Sequence, residues 1–156
     1  MIFISSSCSK KQTIKGSIEE ILQHGFSNIE LSGGTQYYPA LEEDIQDLQQ
    51  KHNVNFLLHN YFPPPKKDFI LNLASLNDDI FNQTIAHCKR AIDLSIKLGC
   101  EKYAVHAGFF VDIKLNEIGK KLSKDKLFDI QQATDRFCNT FLDLVDYTKG
   151  KEIGRA

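Results

Sequence analysis

The sequence predicts an α/β fold of parallel strands, and three observations carry that prediction. Four short apolar runs, starting near Ile2, Asn28, Val54 and Lys102, alternate with four stretches of helical periodicity. Such alternation calls for parallel strands joined by right-handed crossovers. The third and fourth runs each close on a histidine, His59 and His106, and the carboxyl ends of parallel strands are where α/β proteins hold ligands. The repeat by itself fits an open sheet and part of a barrel equally.

Ile2-Phe3-Ile4 reads as the first strand. Ser17 then reads as the cap of a helix, with Glu20 closing a capping box, Ile18, Ile21 and Leu22 on one face and Gly25 just past the end. Asn28 to Ser32 follows as the second strand, broken by Gly33-Gly34. Pro39 suits the first turn of a helix carrying Leu41, Ile45 and Leu48, which fades at Lys51-His52-Asn53. Val54 to Leu58 is the third strand. From Asn60-Tyr61-Phe62 the chain enters Pro63-Pro64-Pro65, which excludes helix and central strand because each proline fixes φ and lacks a donor. This connection runs to about Asn77, far beyond the 2–6 residues usual after a strand, which makes it a candidate functional loop. Asn77 or Asp78 caps a long helix with Ile80, Phe81, Ile85, Cys88, Ile92 and Ile96 at helical spacing, and Gly99 ends it. Lys102 to Val105 is the fourth strand, and a last helix spans about Ser123 to Thr148.

With 156 residues, one domain with a sizeable core is expected. The 42% hydrophobic and 25% charged content is that of an ordinary globular chain. Its 19 basic residues against 20 acidic ones show no cationic excess for phosphate neutralisation, so nucleic acid is not an expected partner. No run approaches a membrane span and the amino terminus lacks a signal-peptide pattern, so a cytoplasmic protein is expected. Cys8, Cys88, Cys100 and Cys138 are scattered and read as buried reduced thiols.

His59 and His106 are the leading site candidates, with core packing as the alternative. Imidazole nitrogens suit zinc and other borderline divalent ions, but two of them need further carboxylates or another histidine to complete a site. Glu30, a carboxylate inside an apolar strand, either lines the pocket or bridges strands. Asn60 and Tyr61, opening the long loop, either hydrogen-bond a polyol or are plain turn residues. His24 and His52 sit near helix carboxyl ends, where they suit the dipole, and His87 reads as a surface or packing residue. The lysine pairs 10–11, 66–67 and 120–121 read as solvated loop charges, and Gly33-Gly34 lacks the further glycines of a dinucleotide fingerprint.

Leu57 to Pro63, the later Leu71 to Ser75, Ile29 to Ser32 and Val105 to Gly108 together resemble the xylose-isomerase-like TIM-barrel superfamily, which holds sugar-phosphate isomerases and epimerases and endonuclease-IV-like repair enzymes. The resemblance implies a partial (βα)8 TIM barrel: about four βα units over residues 1–150, the amino-terminal half of eight. It implies that His59 and His106 ligate metal, as in endonuclease-IV-like members, or contact substrate, as in the sugar isomerases. Glu30, Asn60 and Tyr61 are then expected to bind substrate. The family's fifth strand, with a metal-binding glutamate, belongs just after residues 147–150. Residues 151–156 instead read Lys-Glu-Ile-Gly-Arg-Ala, of which Glu-Ile-Gly-Arg-Ala matches one reading frame of a common sequencing adapter, and they are expected to be an artefactual tail.

The expected activity of the complete protein is isomerisation or epimerisation of a sugar or sugar phosphate by proton transfer beside a carbonyl. Zinc, manganese or magnesium is its expected cofactor, and the chain alone is expected to be inactive. The alternative is an endonuclease-IV-like, metal-dependent phosphodiesterase acting on abasic DNA. The open first and fourth strand edges also predict self-association.

Overall fold

In a computed structural model, which describes residues 1–122, 127–149 and 151, the chain is an α/β half-barrel. Three parallel strands, β1 (Ile4–Ser5), β2 (Asn28–Leu31) and β3 (Asn55–Leu58), lie in the order β1-β2-β3. Four helices follow the strand runs: α1 (Ile14–Gln23), α2 (Leu41–His52), α3 (Asp78–Lys97) and α4 (Ile130–Lys149). The expected fourth strand is reduced to a single parallel bridge between Leu58 and Tyr103. Among the described residues nothing pairs with this run on its other side.

The core lies between the sheet and the helices. Ile14 and Ile18 of α1, Ile29 and Leu31 of β2, Leu41 and Ile45 of α2 and Leu58 of β3 are all at most 1% exposed. Each contributes roughly 1.5–3 kcal/mol by leaving water. A second cluster joins Leu73, Cys88, Ile92 and Leu144, tying the long loop to α3 and α4.

Three helix starts differ from the sequence reading. Helix α1 begins one turn early because Thr13, not Ser17, is its cap: Thr13 Oγ1 accepts from the Gly16 N–H at 3.3 Å. That start brings Ile14 onto the buried stripe with Ile18 and Ile21, whereas a cap at Ser17 would leave it off the helix. Ser17 is buried and donates to the Thr13 carbonyl, and Glu20 accepts from Ser9 instead of closing a capping box. Pro39 lies two residues before α2, whose cap is Ala40. The last helix begins at Ile130, with Asp129 Oδ1 accepting from the Gln132 N–H at 2.9 Å, and Leu127 is exposed off the helix. Residues 123–126 of the expected helix, and 152–156 of the tail, lie outside the described residues.

The segment from His59 to Asn77 has no regular structure yet is largely buried at Phe62 and from Leu71 to Ser75. Asn72 is its anchor. Its Oδ1 accepts from Ala74 N (3.1 Å) and Phe109 N (2.9 Å), while its Nδ2 donates toward the Phe109 and Val111 carbonyls and Asp112. Gly108 makes this approach feasible: it has φ +114, and a Cβ there would sit 2.2 Å from Asn72 Oδ1.

Two of the four thiols depart from expectation: Cys8 and Cys138 are exposed, while Cys88 and Cys100 are buried. Burial pushes Cys88 up to about 11 and Cys100 up to about 12, so neither forms thiolate near neutrality. Iodoacetamide at pH 7.5 is therefore expected to label Cys8 and Cys138 on the native chain and spare the other pair, as read by peptide mass spectrometry. Gly108→Ala is expected to destabilise the fold by about 2–4 kcal/mol, from a strained φ plus displacement of Asn72, measured from the urea midpoint.

Candidate active site at the strand ends

Strand alternation decides what faces the site. In β2, Ile29 and Leu31 are buried toward the helices, so Glu30 points to the opposite face. In β3, Phe56 and Leu58 are buried, so Leu57 and His59 share the Glu30 face; Glu30 and Leu57 are register partners. Tyr103, the bridge partner of Leu58, packs against the core, which turns Ala104 and His106 outward onto that same face.

The two histidines meet there. Their ring centroids are 5.8 Å apart with the planes at 88°, and Tyr61 stands edge-on to His106 at 6.1 Å. His59 N donates to the Leu31 carbonyl at 2.9 Å, extending the β2–β3 ladder, so its backbone is held by the sheet. Glu30 accepts from Ser32 Oγ at 3.3 Å, and that hydroxyl shares a 2.7 Å bond with Ser5 Oγ. Ser5, Glu30, Ser32, His59, Tyr61 and Asp68 are polar lining residues of a cleft of about 540 Å³; the His106 ring stands against His59 without lining that cleft itself. Phe69, Ile70, Leu71, Leu115 and Ile118 are among its apolar lining residues, and no lysine or arginine among the described residues lines it.

Asn60 is placed differently from its neighbours. Only 3% exposed, it turns its groups onto the protein. Its Oδ1 accepts from the His106 N–H at 3.4 Å, and its carbonyl accepts from the Tyr103 hydroxyl (3.4 Å) and the His87 ring (3.2 Å). His24 and His52 stay at helix ends, away from the cleft.

His87 is the residue that sequence reasoning passed over: it is buried and lines the cleft. The signal was available, because Thr84, His87, Cys88 and Ala91 fall at helical spacing on the buried face of α3. Ser5, Ser32 and Asp68 were also missed; lone hydroxyls and a loop aspartate carry no pattern of their own.

The donor set suits a metal ion only in part. Two imidazoles stand close enough to share an ion, but among the described residues no group of three His, Cys, Asp or Glu is gathered. Structural and catalytic zinc sites use at least three protein ligands.

Burial pushes the His87 imidazole below the ordinary histidine range; nearby Arg90 adds to this, and the bond to the Asn60 carbonyl opposes it. The unfolded chain then binds a proton more readily than the folded one. This contribution to stability is present above the unfolded value of about 6.5 and is lost as pH falls through it, with a limiting slope of about 1.4 kcal/mol per pH unit. Urea midpoints between pH 7.5 and 5.5 are expected to fall for the unaltered chain and to flatten in His87→Gln, whose amide keeps a donor without a charge.

The sequence profile of the family described as xylose isomerase-like TIM barrel matches residues 18–153. A curated relative, the uncharacterized protein MJ1311 of Methanocaldococcus jannaschii, is 25% identical over 124 residues, covering 78% of this chain and 40% of its own length. The crystal structure of D-psicose 3-epimerase with D-tagatose, from Clostridium cellulolyticum H10, superposes over 92% of this chain and 46% of the epimerase, with a TM-score of 0.62 at 12% identity. The chain thus spans less than half the length of these relatives, and the structural likeness carries the fold: parallel strands and outer helices of part of a barrel. The sequence match extends well beyond half of the chain, and this protein belongs to the xylose isomerase-like TIM barrel family.

Proposed function

We propose that this chain is the amino-terminal half of a divalent-metal-dependent isomerase or epimerase acting on a sugar or sugar phosphate. The observation that supports this reading most is the meeting of the His59 and His106 rings at the rim of a cleft that His59 and Glu30 line. In the complete barrel His59 and His106 would hold the ion together with carboxylates of later strands, since this half brings two donors where at least three are needed. When bound, such an ion polarises the carbonyl and hydroxyl oxygens of a sugar. Within this half, Glu30 accepts hydrogen bonds from hydroxyls, the Ser5 and Ser32 hydroxyls donate or accept in turn, and Tyr61 and Phe69 cover the C–H face. The proton shift beside the carbonyl falls to groups of the second half, which leaves this chain inactive alone.

The test compares the 156-residue chain with a gene-length protein carrying four more βα units, on free ketohexoses and their phosphates with zinc, manganese or magnesium. Turnover is expected only from the longer protein, and His59→Ala or His106→Ala there is expected to cut kcat/KM by at least about 100-fold. Turnover by the short chain, or variants as active as their parent, would refute the proposal. The histidine pair also suits a phosphodiesterase acting on abasic DNA; salt-dependent binding and cleavage of abasic duplex, with every sugar untouched, would favour that reading.

The edges of the half-barrel add a further expectation. Met1 and Ile2 are 92% and 82% exposed beside β1, and the Lys102–Val105 run leaves an unpaired edge among the described residues. Alone, the chain is expected to elute from size exclusion above its 17.8 kDa mass, in a concentration-dependent way. A concentration-independent monomer would count against open-edge association.

A further inference from the structure

We infer that His87 is a positioning residue that sets the His59–His106 pair by gripping the Asn60 peptide between them. The inference rests on the reading of His59 and His106 as the paired imidazoles of the site. Asn60 reaches both: it follows His59 in the chain, and its Oδ1 accepts from the His106 N–H at 3.4 Å. Asn60 is itself 3% exposed, and its Nδ2 has no partner among the described residues. What fixes it, besides the His106 amide, is its carbonyl, bonded at 3.2 Å to His87 Nε2 and at 3.4 Å to the Tyr103 hydroxyl. Tyr103 belongs to the weakly paired fourth run. His87 stands in the middle of the 20-residue helix α3, the more rigid support. A carbonyl only accepts, so this geometry requires the proton on Nε2 of His87. Phe69 stacks edge-on against the ring at 6.2 Å and holds its plane.

The experiment reads histidine ring resonances of the 156-residue chain by two-bond nitrogen–proton NMR, with no metal or sugar present. Unaltered protein is expected to show His87 as the Nε2-protonated tautomer at pH 7.5. In His87→Leu, ring resonances of both His59 and His106 are expected to shift, while the methyls of Ile14, Ile18 and Ile45 in the main core stay in place. His87→Gln, whose amide N–H reaches toward the same carbonyl, is expected to bring the rings back toward their original positions. An Nδ1-protonated His87, unmoved rings in a folded leucine variant, or a glutamine variant displaced as far as the leucine one would each overturn the inference. Should His87→Leu not fold, the tautomer and the glutamine variant decide. Failure of the turnover assay leaves this readout untouched, and failure here leaves that assay standing.

Discussion

The buried amide of Asn72 is the constraint on which the site end of this molecule depends. A loop of some twenty residues that leaves β3 and returns into α3 has no strand or helix to pair its backbone, and buried polar groups without partners are costly. Asn72 resolves this by acting as a local surrogate for a strand: it accepts from two backbone amides and donates toward the segment 109–112. The loop and the segment after His106 thereby become one unit. Removing the amide would leave the Ala74 and Phe109 N–H groups buried or half-buried without acceptors, each at roughly 1–3 kcal/mol. Gly108 belongs to the same constraint, because only a residue without Cβ lets the backbone come so near.

From that constraint follows the geometry of the candidate site. The sheet holds His59 through the Leu31 carbonyl, and the loop unit holds the chain around His106, so the imidazoles are carried by separate supports that meet at Asn60. Strand alternation does the rest. With every second side chain of β2 and β3 committed to the helix-facing core, Glu30 and His59 have one face left to them, and His106 joins them through the Leu58–Tyr103 bridge. The cleft is lined by hydroxyls and carboxylates together with aromatic and aliphatic groups, a mixed lining of the kind small-molecule sites use.

The parts of this arrangement legible beforehand share a physical character. Apolar runs of four or five residues bounded by Gly, Asn or Pro announced β2 and β3 because burial on one face leaves a local pattern. Asn77 was readable as a cap since its side chain competes for the first amides of α3, and it does accept from Asp79 and Ile80. Ser17 misled because it also satisfies a capping pattern, and what moved the start to Thr13 was the burial of Ile14, which no cap rule contains. Likewise, the proline-rich loop was recognisable as irregular, but its burial and the role of Asn72 were not, since both rest on partners some forty residues away.

The sequence by itself determined the alternation of strands and helices, the parallel connection they require, and the position of His59 at a strand end, because periodicity and turn chemistry act over a few residues; the strand expected before His106 is only a one-residue bridge. Tertiary structure alone decided that the two rings lie 5.8 Å apart, that Asn60 turns inward, and that His87 reaches the site from a helix. Those outcomes depend on register and loop closure between segments far apart in the chain, and such distances are set only when the apolar faces pack together.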